Sequence, residues 1–311
     1  MTSLLGELPL VGAGGEPVDL PRTLASHGVA SLPPQRLDEA AWTLETTLSL
    51  GDGRARSVRV SRGQPGHAAV ELLGGRAGAR DRARLLATVR HMLRLDEDLS
   101  GFYAVAAADP MLAWATSGAG RMIRSPSVFE DVVKTVCTTN CSWALTTKMA
   151  TALVAHLGDE APNGRRAFPS AEAMAAADEA FYREVVRSGY RAPYLRQLAE
   201  SVASGDVDLE ALTDPELPDE EAAARLLALP GIGPYGAAHV MLTSLGRYSR
   251  LVLDSWTRPT YAKLAGRKAK DSTIQRRFRR YREWAGLAFW LYLTRSWVEE
   301  GTPGLSAPAE R

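Results

Sequence analysis

Cysteine is almost missing. Cys137 and Cys141 are the only two in 311 residues, too few for a four-cysteine iron–sulfur site or a disulfide scaffold. Their C-x-x-x-C spacing has no further ligand residues nearby. They are therefore expected to be buried or half-buried thiols in a reducing cytoplasm, and no metal or cofactor is expected. Charge of one sign is just as scarce: 37 Lys and Arg against 36 Asp and Glu leave a net +1. So small an excess does not point to a polyanionic partner, and any nucleic-acid site must be a local patch. No run of about 18 apolar residues occurs, which excludes a membrane-spanning helix on length alone. The opening MTSLLGELPLVGAGGEP is short and uncharged in its apolar part, unlike a secretion signal. A cytoplasmic monomer is expected.

What is present reads as a globular chain: 45% hydrophobic and 23% charged residues. The length exceeds one ordinary core, so about two domains are expected. WTLETTLSL alternates, with Trp42, Leu44, Thr46, Leu48 and Leu50 on one face. SVRVSR and HAAVELL alternate more briefly. Glycine-rich turns separate the three runs, which predicts a small antiparallel sheet. DRARLLATVRHMLRL switches period, placing Leu85, Leu86, Val89, Met92 and Leu93 on one helical face. From about Pro110 the chain reads as helices punctuated by Gly and Pro, with no strand alternation, repeat or low-complexity tract. The expected fold is mainly α with an N-terminal α+β domain. Residues 1–108 form the antiparallel-sheet domain, 109–300 a helical domain with the site in its cleft, and 301–311 a flexible tail.

The stretch LPGIGPYGAAHV, Leu229 to Val240, stands out. DEEAAARLLAL before it is a helix that Pro230 stops. Gly231 and Gly233 permit a very short helix-to-helix turn around Ile232. YGAAHVMLTSLG starts a second helix that Gly246 can end. The turn leaves amide groups at the positive end of a helix dipole, a geometry that suits a phosphate. On these residues alone an ordinary αα-hairpin is an equal reading. Asp254 follows Tyr235 by 19 residues, just ahead of another helix, where an N-cap is the commoner duty of an aspartate.

Taken together, L-P-G-I-G-P-Y and the later Asp254 resemble the helix-hairpin-helix DNA glycosylase superfamily, in its 3-methyladenine and 8-oxoguanine glycosylase branch. SPSVFEDVVKTVCTTNCSW, FPS (Phe168 to Ser170), GYRAPYL (Gly189 to Leu195) and LRLDEDLSGFY fall in the family's order. The resemblance extends from about Asp19 to Trp297. It implies an enzyme of base excision repair that flips a damaged nucleotide out of double-stranded DNA. Gly231, Ile232 and Gly233 would hold the backbone. Asp254 would face C1′ of the flipped sugar, stabilise its developing positive charge and orient or deprotonate the attacking water. Asn140 would sit at the lesion, Tyr190 would wedge into the stack, and Arg191 would reach the orphaned base or the backbone.

Two departures from the family pattern shape the expected chemistry. Relatives with lyase activity carry a nucleophilic lysine where this chain has Tyr235. A phenol cannot form a Schiff base, which implies a monofunctional glycosylase unless Lys148, Lys263 or Lys268 substitutes from elsewhere. Relatives that read the guanine edge carry a glutamine and a stacking phenylalanine where this chain has Phe289 and Leu293. The expected pocket holds Tyr235, Phe289, Trp290, Trp256 and His239, with Trp143 near. An electron-rich aromatic wall of this kind suits a cationic base such as an N-alkylated purine. An oxidised or deaminated purine is the alternative substrate, and a non-catalytic hairpin protein that binds or senses damage is the alternative from another class. RRFRRYR, Arg276 to Arg282, is read equally as a DNA-facing stripe or as a solvated helix.

Overall fold

The computed structural model describes residues 2–298, so the 301–311 tail lies outside the described residues. Five antiparallel strands, β1 (Thr2–Pro9), β2 (Arg36–Asp38), β3 (Thr43–Gly51), β4 (Arg54–Arg62) and β5 (His67–Leu73), form one sheet in the order β1-β5-β4-β3-β2. The three runs expected from alternation are β3, β4 and β5. β1 was not legible because its exposure does not alternate: Leu4 is open to solvent, Leu5 and Leu8 are buried, and a register shift lies between Leu4 and Gly6. Trp42 does not share the face of β3. It lies one residue before the strand, half-buried, with a left-handed φ of 50°.

Twelve helices accompany the sheet among the described residues. They are α1 (Leu20–Leu24), α2 (Ala79–Met92), α3 (Ser100–Ala107), α4 (Val128–Thr138), α5 (Trp143–Leu157), α6 (Ala171–Ala175), α7 (Ala192–Ala203), α8 (Asp219–Leu227), α9 (Pro234–Val240), α10 (Thr257–Ala265), α11 (Asp271–Phe278) and α12 (Ala285–Thr294). α2 lays Leu85, Val89 and Met92 on the sheet's apolar face, against Leu44, Leu48, Val58 and Val70. None of the described helices is long and apolar enough to cross a membrane.

The helical part has two cores, and α9 stands between them. Ala237, Val240 and Met241 face the core of α4, α5, α7 and α8. Ala238 and Leu242 face the core of α3 and α10 to α12. An exposed helix carries one apolar stripe, but a helix shared by two cores is apolar nearly all round, as GAAHVML is. Tyr235 and the turn before it are thereby fixed from both sides. Core membership along the chain changes between Leu95, in the sheet's core, and Leu99, in the core of α12.

Across that junction run two fully buried arginines. Arg94 donates to the carbonyls of Met122 and Thr243 and to Glu97. Arg121 donates to Glu16 and to the carbonyls of Arg94 and Glu97. Buried guanidinium groups are tolerable only when paired and hydrogen-bonded in this way.

Candidate active site

The hairpin is α8, the turn Ala228–Gly233 and α9. Leu229 and Ile232 are buried and anchor the turn from below, with the Ile232 amide donating to the Leu229 carbonyl at 3.2 Å. The two glycines do different things. Gly231 has φ +78°, and a Cβ there would meet the Tyr194 ring at 3.0 Å, so it is required by the turn itself. Gly233 has an ordinary φ of −101°, and nothing lies within 4 Å of its absent Cβ. Its smallness keeps the outer side of the turn open. Pro234 occupies the first turn of α9, which has no side-chain cap, so the early amides have no intrahelical acceptor.

These differences give a direct prediction. Gly231→Ala should destabilise the protein, because a left-handed φ costs a residue with a Cβ about 1–2 kcal/mol. Gly233→Ala should leave the melting temperature unchanged yet weaken binding to any duplex by about tenfold, the equivalent of one lost hydrogen bond of about 1.4 kcal/mol. Unchanged affinity in the folded Gly233→Ala variant would show that the turn is not a phosphate clamp.

Asp254 follows the segment Leu251–Leu253, which is held close to α12. The Gly286 amide donates to the Tyr248 carbonyl at 2.7 Å, and a Cβ on Gly286 would lie 2.1 Å from the Arg250 carbonyl oxygen. Only glycine lets the two backbones approach so closely. Asp254 Oδ1 accepts from the amides of Trp256 at 2.8 Å and Thr257 at 2.6 Å, while its own amide donates to Thr257 Oγ1 at 2.8 Å. The aspartate thus caps α10 with one oxygen. Among the described residues Oδ2 has no hydrogen-bond partner. Capping and a functional carboxylate are therefore compatible here: one oxygen fixes the group's orientation and the other is presented.

The carboxylate lies beside the hairpin exit. Burial and, secondarily, the Asp254 charge push the Tyr235 phenol up to about 12, partly offset by its Thr138 contact. The Tyr235 hydroxyl lies 3.4 Å from Thr138 Oγ1. One turn further along α9, the His239 ring packs 5.8 Å from Tyr235 and 5.9 Å, edge-on, from His27. Burial pushes His239 down to about 3 and His27 to about 4, so both imidazoles are neutral at neutral pH. His27 Nε2 lies 2.6 Å from the Ile123 carbonyl, and Nδ1 is buried without a partner. The sheet domain's leading segment thus reaches the ring next to Tyr235. His27 was missed by sequence reasoning, since nothing local to SHGV marks a residue whose partner is 212 positions away.

The other aromatic candidates divide. Trp256 packs against Trp290 at 5.6 Å and Trp297 at 5.4 Å. Trp290 Nε1 donates to the Ser26 carbonyl at 2.7 Å, tying α12 to the segment that bears His27. Phe289 is placed differently from expectation. It is fully buried between Phe278 at 5.1 Å and Tyr261 at 6.3 Å and is a core residue, because α12 is apolar on nearly every side and only part of it can face a cleft. Leu293 is buried in the same core. Trp143 packs on Val29, Leu32 and Ala150.

The segment expected at the lesion forms a small platform beside the hairpin. Asn140 has a left-handed φ of 44° in the turn after α4, and its Nδ2 donates to the Tyr190 hydroxyl at 3.4 Å. Tyr190 is half exposed and packs edge-on against Tyr194. Tyr194 in turn touches Gly231, a link the sequence did not reveal. Arg191 is not extended toward solvent. It is buried under Tyr190, with its guanidinium 4.4 Å from the ring centre, and it donates to Thr139 Oγ1 and to the carbonyls of Thr139 and Ser188.

Cys137 is buried and Cys141 half-buried, with Cys141 Sγ donating to the Cys137 carbonyl at 3.1 Å. The chain has five lysines. Lys134 is buried and donates to Glu130, Gln35 and Ser125. Lys148, Lys263, Lys268 and Lys270 are exposed.

Comparison with known proteins bears on the family and the fold. The family described as "HhH-GPD superfamily base excision DNA repair protein" matches residues 133–286, from α4 through the hairpin and Asp254 to the start of α12. The match places residues 133–286 in this superfamily. It is 32% identical over 143 residues to the N-glycosylase/DNA lyase OGG1 of Arabidopsis thaliana, covering 44% of this chain and 38% of that protein. It is 28% identical over 169 residues to the DNA-3-methyladenine glycosylase of Bacillus subtilis, covering 53% and 55%. The chain therefore spans about half, or less, of the length of these curated relatives. Its fold matches that of the 3-methyladenine DNA glycosylase from Archaeoglobus fulgidus with a TM-score of 0.70 and 22% identity, over 95% of this chain and 99% of that one.

Proposed function

We propose that the protein is a monofunctional DNA N-glycosylase. It flips a damaged purine, an N-alkylated one, from double-stranded DNA, hydrolyses the glycosidic bond and leaves an abasic site. The observation that carries this is the divided carboxylate of Asp254, with Oδ1 fixed by two amides and Oδ2 presented, beside a phenol rather than an amine at the hairpin exit. Loss of a purine leaves positive charge at the sugar, and a fixed anion in a site shielded from water stabilises it. Oδ2 also suits the attacking water as an acceptor for its proton. The hairpin amides hold the backbone, and Tyr190 fills the space the base vacates, with Asn140 at its hydroxyl.

The substrate class rests on charge and on π-surface. Tyr235 and Trp256 provide electron-rich rings on the elements beside the carboxylate, with Trp290 buried behind Trp256, and His239 and His27 are neutral at neutral pH. A cationic alkylpurine meets no like charge from them and gains from the rings. The position at which guanine-reading relatives keep a glutamine is held by the buried Phe289, which has no group to read that edge. The test is release of bases by the wild-type protein from duplexes that each carry one lesion: 3-methyladenine, 7-methylguanine, 8-oxoguanine or hypoxanthine. Release of the methylated bases is expected, and preference for 8-oxoguanine or hypoxanthine would instead assign an oxidised or deaminated purine.

A further inference from the structure

The chain is nearly neutral, but residues 258–282 are not. They contain ten basic residues and one acidic residue, a net +9 in a chain of net +1, so the remainder carries a net −8. Three of these arginines are spent within the protein. Arg258 pairs with Asp271, Arg280 pairs with Asp109, and Arg277 donates to the Tyr261 hydroxyl and lies over the Tyr292 ring. Arg276, Arg279 and Arg282 are spaced three apart, are exposed, and have no ion-pair partner among the described residues. The arginine-rich segment is thus two-faced, with Arg277 and Arg280 on the face tied to the protein.

The free face lines a groove of about 830 Å³ that begins at Pro234 and Tyr235, the hairpin exit, and whose other wall includes Arg250 and Arg258. Asp271 is the only acidic residue among its lining residues. Arg282 has φ 50° and ψ −122°, a break in the helical path. On its far side Glu283 and Trp284 line a different cleft, of about 680 Å³, together with Asp96, Glu97, Asp98 and Asp219. The two clefts have opposite sign, and the basic one is continuous with the hairpin.

We propose that Arg276, Arg279 and Arg282 form a second phosphate tract. It continues from the hairpin along the groove and holds the backbone of the duplex flanking the flipped nucleotide, independent of sequence and of damage. Arginine in an open groove is suited to phosphate oxygens and carries no base readout unless it enters a duplex groove. The tract would supply the salt-dependent affinity for undamaged DNA that a protein of net charge +1 cannot draw from its bulk charge. The proposal rests on the DNA-directed function above, and its test separates the two.

The experiment measures binding of an undamaged, fluorescein-labelled duplex as a function of salt. It compares the wild-type protein with Arg276→Gln/Arg279→Gln/Arg282→Gln and with a control of equal charge change on the sheet domain, Arg76→Gln/Arg80→Gln/Arg82→Gln. Each phosphate contact contributes about 0.9 to the slope of log K against log salt. The tract variant is expected to lose about 2–3 from that slope, and the control to keep the wild-type slope. A tract variant that is folded by circular dichroism and keeps the wild-type slope overturns the proposal, as does a wild-type protein with no affinity for duplex. If the wild-type protein releases no base from the lesion duplexes and the slope still falls only in the tract variant, the glycosylase function fails while the tract stands.

Discussion

Asp254→Asn is expected to retain binding to a damaged duplex within a few-fold and to lose at least about a hundredfold in single-turnover base release, the range for removal of a key electrostatic group. The substitution separates the two duties of the side chain. Asparagine keeps a carbonyl oxygen where Oδ1 now accepts from the Trp256 and Thr257 amides, so the cap on α10 survives. It places an uncharged amide nitrogen where Oδ2 is presented. Loss of release with an unchanged melting temperature therefore reports the missing charge. Alanine would remove the cap as well, at a cost of about 1 kcal/mol, and would mix the two effects. Near-normal release by Asp254→Asn would remove the carboxylate from the mechanism.

The second large effect is all-or-none. The wild-type protein is expected to leave abasic sites intact and to form no covalent complex with DNA when borohydride is present during the reaction. An imine needs an amine at C1′. Tyr235 offers a phenol, and burial raises its pKa to about 12. The one buried lysine, Lys134, is occupied by Glu130, Gln35 and Ser125. In Tyr235→Lys, burial would lower the pKa of the new amine while Asp254 raised it, so a fraction would be neutral and a modest strand-nicking activity should appear. Trapping by the wild-type protein would overturn the monofunctional assignment and direct the search to Lys148, Lys263 and Lys268.

The hairpin and the Asp254 cap were legible because their signals are local. A proline, two glycines and an apolar helix specify a hairpin within a dozen residues, and an aspartate ahead of S-W-T is a cap whatever else it does. β3, β4 and β5 were legible because each buries one face and alternates accordingly. What was not legible depends on distant contacts. β1 is bulged and does not alternate. Trp42 belongs to a turn because the strand begins one residue later. Phe289 lies on a helix that is apolar almost all round, so periodicity could not say which of its rings faces a cleft and which the core. Arg191 looked available because arginine seldom finds enough acceptors to be buried, yet the Thr139 and Ser188 carbonyls and Thr139 Oγ1 supply them. His27 enters through a fold that brings the start of the chain to α9. The even choice over Arg276 to Arg282 could not be narrowed locally, because which arginines are committed depends on Asp109, Tyr261 and Tyr292 elsewhere in the chain.

The most direct test of the central claim is single-turnover base release by the wild-type protein from the lesion-bearing duplexes, with the DNA product examined before and after alkali. Methylated purines are expected to be released, the strand to stay whole until alkali cleaves it at the abasic site, and 8-oxoguanine to be a poor substrate. Absence of release from every duplex, or release coupled to strand cleavage without alkali, would contradict that claim.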